Sequence, residues 1–80
     1  MKARIHITLK NGVLDPQGKA TQNALHHLGF DEVSAVRLGK YIEVDLNESD
    51  RAAAEVKLKA MCEKLLANTV VENYRLEVEA

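Results

Sequence analysis

Over residues 3–9 the chain alternates: Ala3, Ile5, Ile7 and Leu9 are apolar, and Arg4, His6 and Thr8 between them are polar. A period of two places the apolar set on one face of a strand and predicts that this face is buried. Asn11 and Gly12 end the strand. In the Asp15-Pro16-Gln17-Gly18 run that follows, Asp15 can accept from the orphan N–H groups of a helix start, and Pro16 suits the first helical turn. Ala20, Ala24, Leu25 and Leu28 then recur at helical spacing. Gly29 supplies the left-handed residue that closes a helix, with Phe30 free to fold back.

Val36, Leu38, Ile42, Val44 and Leu46 all occupy even positions, with Gly39-Lys40 among them. A two-residue hairpin at Gly39-Lys40 pairs Leu38 with Tyr41 and sets the apolar residues of its two arms on opposite faces, which wastes burial. The alternatives are a three-residue turn that pairs Leu38 with Ile42, or one strand over residues 33–46 bent at Gly39, since glycine inside a strand often marks a bulge or bend. One long bent strand is the expectation.

Asn47 or Ser49 is placed to cap the next helix, whose apolar stripe runs through Ala54, Leu58, Met61, Cys62, Leu65 and Leu66 and which ends near Asn68. Period two returns in Tyr74, Leu76 and Val78, opposed by Arg75, Glu77 and Glu79. These elements predict an α+β two-layer sandwich with two helices on one face of a small antiparallel sheet. The order is β-α-β-α-β with a long bent middle strand, or β-α-β-β-α-β if that strand splits at Gly39. No linker, repeat or low-complexity tract interrupts residues 1–80, which read as a single domain.

A chain of 80 residues buries only about 60 to 65 % of its unfolded surface, so a partner that covers apolar faces is already in view. Hydrophobic residues at 46 % and charged residues at 29 % exclude intrinsic disorder. Eleven Lys and Arg against twelve Asp and Glu give a net charge of -1, which leaves no basic field for a nucleic-acid backbone. Apolar runs of three or four residues fall far short of the about 20 that cross a membrane. The alternating N-terminus lacks the apolar core of a secretory signal. The cytoplasm is the expected location, in keeping with Cys62, which has no disulfide partner.

Candidate chemistry is sparse. Cys62 falls late on an apolar helix stripe without the base or helix N-terminus that lowers a thiol pKa, and reads as buried and structural. His26 and His27 are adjacent, so they point about 100° apart on a helix and cannot share one metal. A metal-dependent enzyme built on His6, His26 and Cys62 lacks ligand spacing. Gly39-Lys40 lacks the glycine-rich run and the hydroxyl of a phosphate loop. Glu43 with Asp45, and Glu77 with Glu79, alternate along strands as a solvated face. No nucleophile, base and pocket combine into a catalytic centre.

Three stretches together closely resemble one family: residues 12–30 (GVLDPQGKATQNALHHLGF), 36–46 (VRLGKYIEVDL) and 61–79 (MCEKLLANTVVENYRLEVE). The family is that of the PurS subunits of phosphoribosylformylglycinamidine synthase, and the likeness runs through nearly the whole chain. Thr69 departs from it, standing where the family commonly has Pro. The resemblance implies a non-catalytic assembly subunit in the fourth step of de novo purine biosynthesis. There formylglycinamide ribonucleotide, glutamine and ATP give formylglycinamidine ribonucleotide, glutamate, ADP and phosphate. It implies two partners, a large synthetase subunit that carries ATP and magnesium and a glutaminase subunit that releases ammonia, held together by this subunit, which aids ammonia transfer. No cofactor is expected in this chain, and no activity of it alone. Unpaired strand edges and a marginal core predict self-association as a dimer or tetramer. The candidate assembly contacts are Asp15, Pro16 and Gly18 in the first helical turn, Arg37, Gly39 and Lys40 at the bend, and Asn68 and Tyr74 near the end. The competing reading is a small-molecule-sensing α+β regulatory domain acting as a dimer.

Overall fold

The computed structural model describes residues 1–79. The alternating segment is β1 (Lys2–Leu9), the central strand of an antiparallel sheet of order β2-β1-β3, flanked by β2 (Gly39–Asp45) and β3 (Glu72–Glu79). Two of its apolar residues have apolar neighbours on both sides: Ala3 lies opposite Val44 and Val78, and Ile5 opposite Ile42 and Leu76. Central position is why Ala3, Ile5 and Ile7 are fully buried while Ile42, Val44, Leu76 and Val78, on edge strands, are only half-buried.

The other face carries polar and charged cross-strand pairs. Lys2 meets Glu43 at 3.2 Å, His6 meets Glu77 at 3.3 Å, and Arg4 pairs with Glu79. The partner carboxylates raise the pKa of Lys2 and Arg4, and Arg4 lowers that of Glu79. Exposed pairs of this kind add little stability, but they keep the face wet and fix its register.

α2 (Arg51–Met61) lies on the apolar face, where Leu58 and Cys62 close the core over β1. Its cap is Asp50, which accepts from the Ala52 N–H at 3.3 Å, and neither Asn47 nor Ser49 takes that role. The reason lies one turn upstream: Glu48 accepts from the N–H groups of Ser49 and Asp50 and pairs with Lys57 at 2.6 Å, which fixes the entry of the chain at Asp50. Those contacts hold the Glu48 carboxyl below its usual pKa. After Met61 the helix widens into a π-turn (Cys62–Leu66), closed by a bond from the Ala67 N–H to the Cys62 carbonyl at 3.0 Å. The wider turn brings Leu66 into line with Cys62 and moves Leu65 off the buried stripe. Leu65, expected inside, is 82 % exposed.

The middle strand is shorter than expected. It begins at Gly39, and residues 33–38 form no strand: β1 has only Leu9 beyond Thr8, the partner of Gly39, and the Leu38 N–H donates to Asp15 Oδ2 in place of a ladder bond. Element order is nonetheless the expected β-α-β-α-β. α1 (Pro16–His27) extends past this end of the sheet, alongside residues 33–38. Of the two helices, α2 alone contributes to the core among the described residues. The molecule is therefore elongated, 48 × 25 × 14 Å, with a radius of gyration of 16.0 Å, against about 12 Å for a compact chain of this length.

Candidate functional site

The arm formed by α1 and residues 33–38 joins the sheet through a small polar joint built on Asp15. As helix cap, Asp15 accepts from the Gly18 N–H at 2.8 Å through Oδ1. Through Oδ2 it accepts from the Leu38 N–H at 3.0 Å, closing the far side of the arm. These two bonds hold its carboxyl below the usual carboxylate range. Pro16 is exposed at the first helical position, and Gly18 is buried because a Cβ there would fall on the Val36 carbonyl and on Asp15 itself. At its other end α1 stops as the sequence predicts: Gly29 has φ +99° and the Phe30 N–H reaches the Leu25 carbonyl at 3.0 Å. His26 Nε2–H donates to the Val33 carbonyl at 2.7 Å and Gln22 Nε2 to the Ser34 carbonyl at 3.3 Å, which seams the arm along its length.

The remaining candidates border the same end of the sheet. Arg37 donates to the Asn11 side chain at 3.2 Å. Gly39 is needed for close approach and not for an unusual backbone angle, since a Cβ there would collide with the Ile7 carbonyl. Lys40 stands 3.7 Å from Glu72, whose other oxygen accepts from the Asn68 N–H at 2.7 Å. Asn68 in turn shapes the turn into β3, its carbonyl accepting from the Glu72 N–H at 2.7 Å. Asp15, Pro16, Gly18, Arg37, Gly39, Lys40 and Asn68 thus cluster at one edge of the molecule. Tyr74 sits further along β3, opposite Ile7, and donates to Glu63 at 3.1 Å. Sequence reasoning missed Glu72 and Asn11, the acceptors that tie this edge together. The spacing of Glu72 four residues after Asn68, at the start of a strand, is the one signal that pointed to it.

This geometry positions backbone. Burial pushes the Cys62 thiol above its ordinary pKa, and burial with the Glu63 contact does the same for the Tyr74 phenol, so neither is an activated nucleophile or base. Among the described residues no group of three His, Cys, Asp or Glu side chains is arranged to hold a metal. No helix is long and apolar enough to cross a membrane.

Comparison with known proteins agrees with the resemblance. The family model described as PurS, phosphoribosylformylglycinamidine (FGAM) synthase, matches residues 2–80. The phosphoribosylformylglycinamidine synthase subunit PurS of Bacillus subtilis is 55 % identical over 78 residues, which cover 98 % of this chain and 92 % of the relative. A crystal structure of Bacillus subtilis PurS superposes with a TM-score of 0.89 at 54 % identity, covering 99 % of this chain and 98 % of that one. A chain in the structure of PurLQS from Thermotoga maritima superposes with a TM-score of 0.87 at 32 % identity, covering 95 % and 93 %. The chain belongs to the PurS family, the small subunits of FGAM synthase in purine biosynthesis.

Proposed function

We propose that this chain is the assembly subunit of an FGAM synthase, holding a synthetase and a glutaminase subunit together and aiding ammonia transfer while performing no chemistry itself. The observation that carries this reading is the likeness, over nearly the whole chain, to a component of the Thermotoga maritima PurLQS assembly. Two physical features support it: the lack of an activated side chain among the described residues, and an elongated shape that leaves apolar surface uncovered. In this reading ATP and magnesium belong to the synthetase, the chain works in the cytoplasm, and it self-associates as a dimer or tetramer through its uncovered faces. The end of the sheet that carries Asp15, Pro16, Gly18, Arg37, Gly39, Lys40 and Asn68, with Tyr74 beside it, is the contact region for the larger subunits.

Reconstitution tests the proposal. Synthetase and glutaminase mixed with this chain are expected to turn over with glutamine, whereas the pair without it uses only added ammonia. An equal glutamine-dependent rate in its absence overturns the reading.

A further inference from the structure

Among the described residues β3 has β1 as its one neighbour, so its outer edge is unpaired. The Lys10 N–H donates to the Val71 carbonyl at 2.8 Å, which continues the register of the β1–β3 ladder. Antiparallel strands exchange bonds at every second residue. Counting from Val71, Asn73, Arg75 and Glu77 bond to β1, and the N–H and C=O groups of Tyr74, Leu76 and Val78 point away from it. A groove of about 550 Å³ runs along this edge, between those three residues and Arg51, Glu55 and Lys59 of α2. The three charged residues are four positions apart and share one helix row. All three are exposed, and among the described residues none belongs to an ion pair, whereas Lys57 on the same helix holds Glu48. Four residues of helix advance about 6.0 Å and two residues of strand about 6.7 Å. An extended segment laid beside β3 therefore meets the row at every second side chain.

We propose that β3 is extended by a strand of another polypeptide. Its backbone pairs with Tyr74, Leu76 and Val78, and its side chains toward α2 run acidic, basic, acidic against Arg51, Glu55 and Lys59. Charge order fixes the choice of occupant. None of β1, β2 and β3 carries that order at alternate positions, and the edge of a second β3 would set Tyr74, Leu76 and Val78 against the three charges and leave them unpaired. The edge begins at Tyr74, beside the contact region proposed above, and the inference rests on that reading: the added strand belongs to one of the two larger subunits.

A pair of peptides of about nine residues, a common strand length, tests the groove. One carries Glu, Lys and Glu at alternate positions among Thr and Val, and the other Lys, Glu and Lys. The wild-type chain is expected to bind the first about 10-fold more tightly, and Arg51→Glu/Glu55→Lys/Lys59→Glu to reverse the preference. Circular dichroism should show the variant folded, since exposed charges contribute little to stability. With the preferred peptide, hydrogen exchange is expected to slow at the Tyr74, Leu76 and Val78 amides and to stay unchanged at Arg75 and Glu77. In a titration of the synthetase and glutaminase pair, the triple variant is expected to assemble about 10-fold more weakly than wild type. The same peptide preference in both chains, no binding of either peptide at about 1 mM, protection at other amides, or wild-type assembly by the triple variant each overturns the inference and leaves the assembly role standing. A wild-type chain that does not assemble with the pair removes both.

Discussion

Asp15 and Leu38 are 23 positions apart in sequence and are joined by a single hydrogen bond of 3.0 Å, from the Leu38 N–H to Asp15 Oδ2. With Oδ1 capping α1 through Gly18, one carboxylate sets the start of the helix and the point at which the chain re-enters the sheet. Asp15→Ala removes both acceptors. Amide exchange is expected to accelerate at Gly18 and Leu38 and along α1, while Ile5 and Ile7 amides in the central strand stay protected. Uniform acceleration across the chain would contradict a local role.

The same carboxylate gives the arm a pH dependence. Its folded pKa lies below the unfolded value, so the folded state binds the proton less tightly than the unfolded one. The stabilisation is therefore complete above the unfolded pKa of about 3.9 and is lost as pH falls through the folded one. Glu48 and Glu79, also lowered, act in the same direction on the α2 entry and on the outer sheet face. Leu38 and Gly18 amide chemical shifts are expected to hold steady from neutral pH down to about pH 4 and to move together below it. A transition near neutral pH would exclude Asp15 as its source.

Core energetics concentrate in β1. Ile5 is fully buried between Ile42 and Leu76 and lies in the cluster that Leu58 and Cys62 close from above. Ile5→Ala is expected to cost about 2–5 kcal/mol, whereas exposed Thr8→Ala, on the opposite face of the same strand, should stay within about 0.5 kcal/mol. Urea unfolding at fixed protein concentration measures both. Comparable losses would mean that the sheet's two faces are equally buried in solution.

Cys62 is expected to be inert in the native state. It is fully buried and its pKa is raised, so the thiolate is scarce and inaccessible. Labelling by an aromatic disulfide reagent should proceed at the rate of opening and become stoichiometric in denaturant. Prompt labelling in buffer would contradict the packing of the α2 end.

Much of this was legible from residue pattern, and what was not has identifiable causes. Period two found β1 and β3, and the caps at Asp15 and Gly29 fixed both ends of α1, because these are local effects. Strand length over residues 33–46 was not local: alternation continues through Val36 and Leu38, but a strand exists only where a neighbour can pair, and β1 has only Leu9 beyond the Thr8–Gly39 pair while the Leu38 N–H is held by Asp15. Leu65 was misplaced because the stripe assumes a regular helix and the π-turn breaks that assumption. The candidate edge was found through its turn residues, whereas Glu72 and Asn11 were missed because an acceptor is recognised only once its donor has been placed in space.

Gly39 separates these local and non-local influences. Sequence reasoning took it as a bend, yet its backbone does not adopt a positive φ, and what demands glycine is the Ile7 carbonyl lying where a Cβ would be. Gly39→Ala must push β2 away from β1 at the first pair of the ladder, Thr8 with Gly39, next to the Leu38 bond to Asp15. Overpacking against backbone costs about 1–3 kcal/mol, and the strain falls on the joint more than on the core. Gly12→Ala is the control: at φ +84° it is strained by its own backbone, but nothing lies within 4 Å of an added Cβ. Both variants should lose stability in urea, while accelerated exchange at the Leu38 amide is expected for Gly39→Ala alone. If Gly12→Ala loosens Leu38 equally, the joint responds to the entry of the arm as a whole, and the close approach at Ile7 is not what holds it.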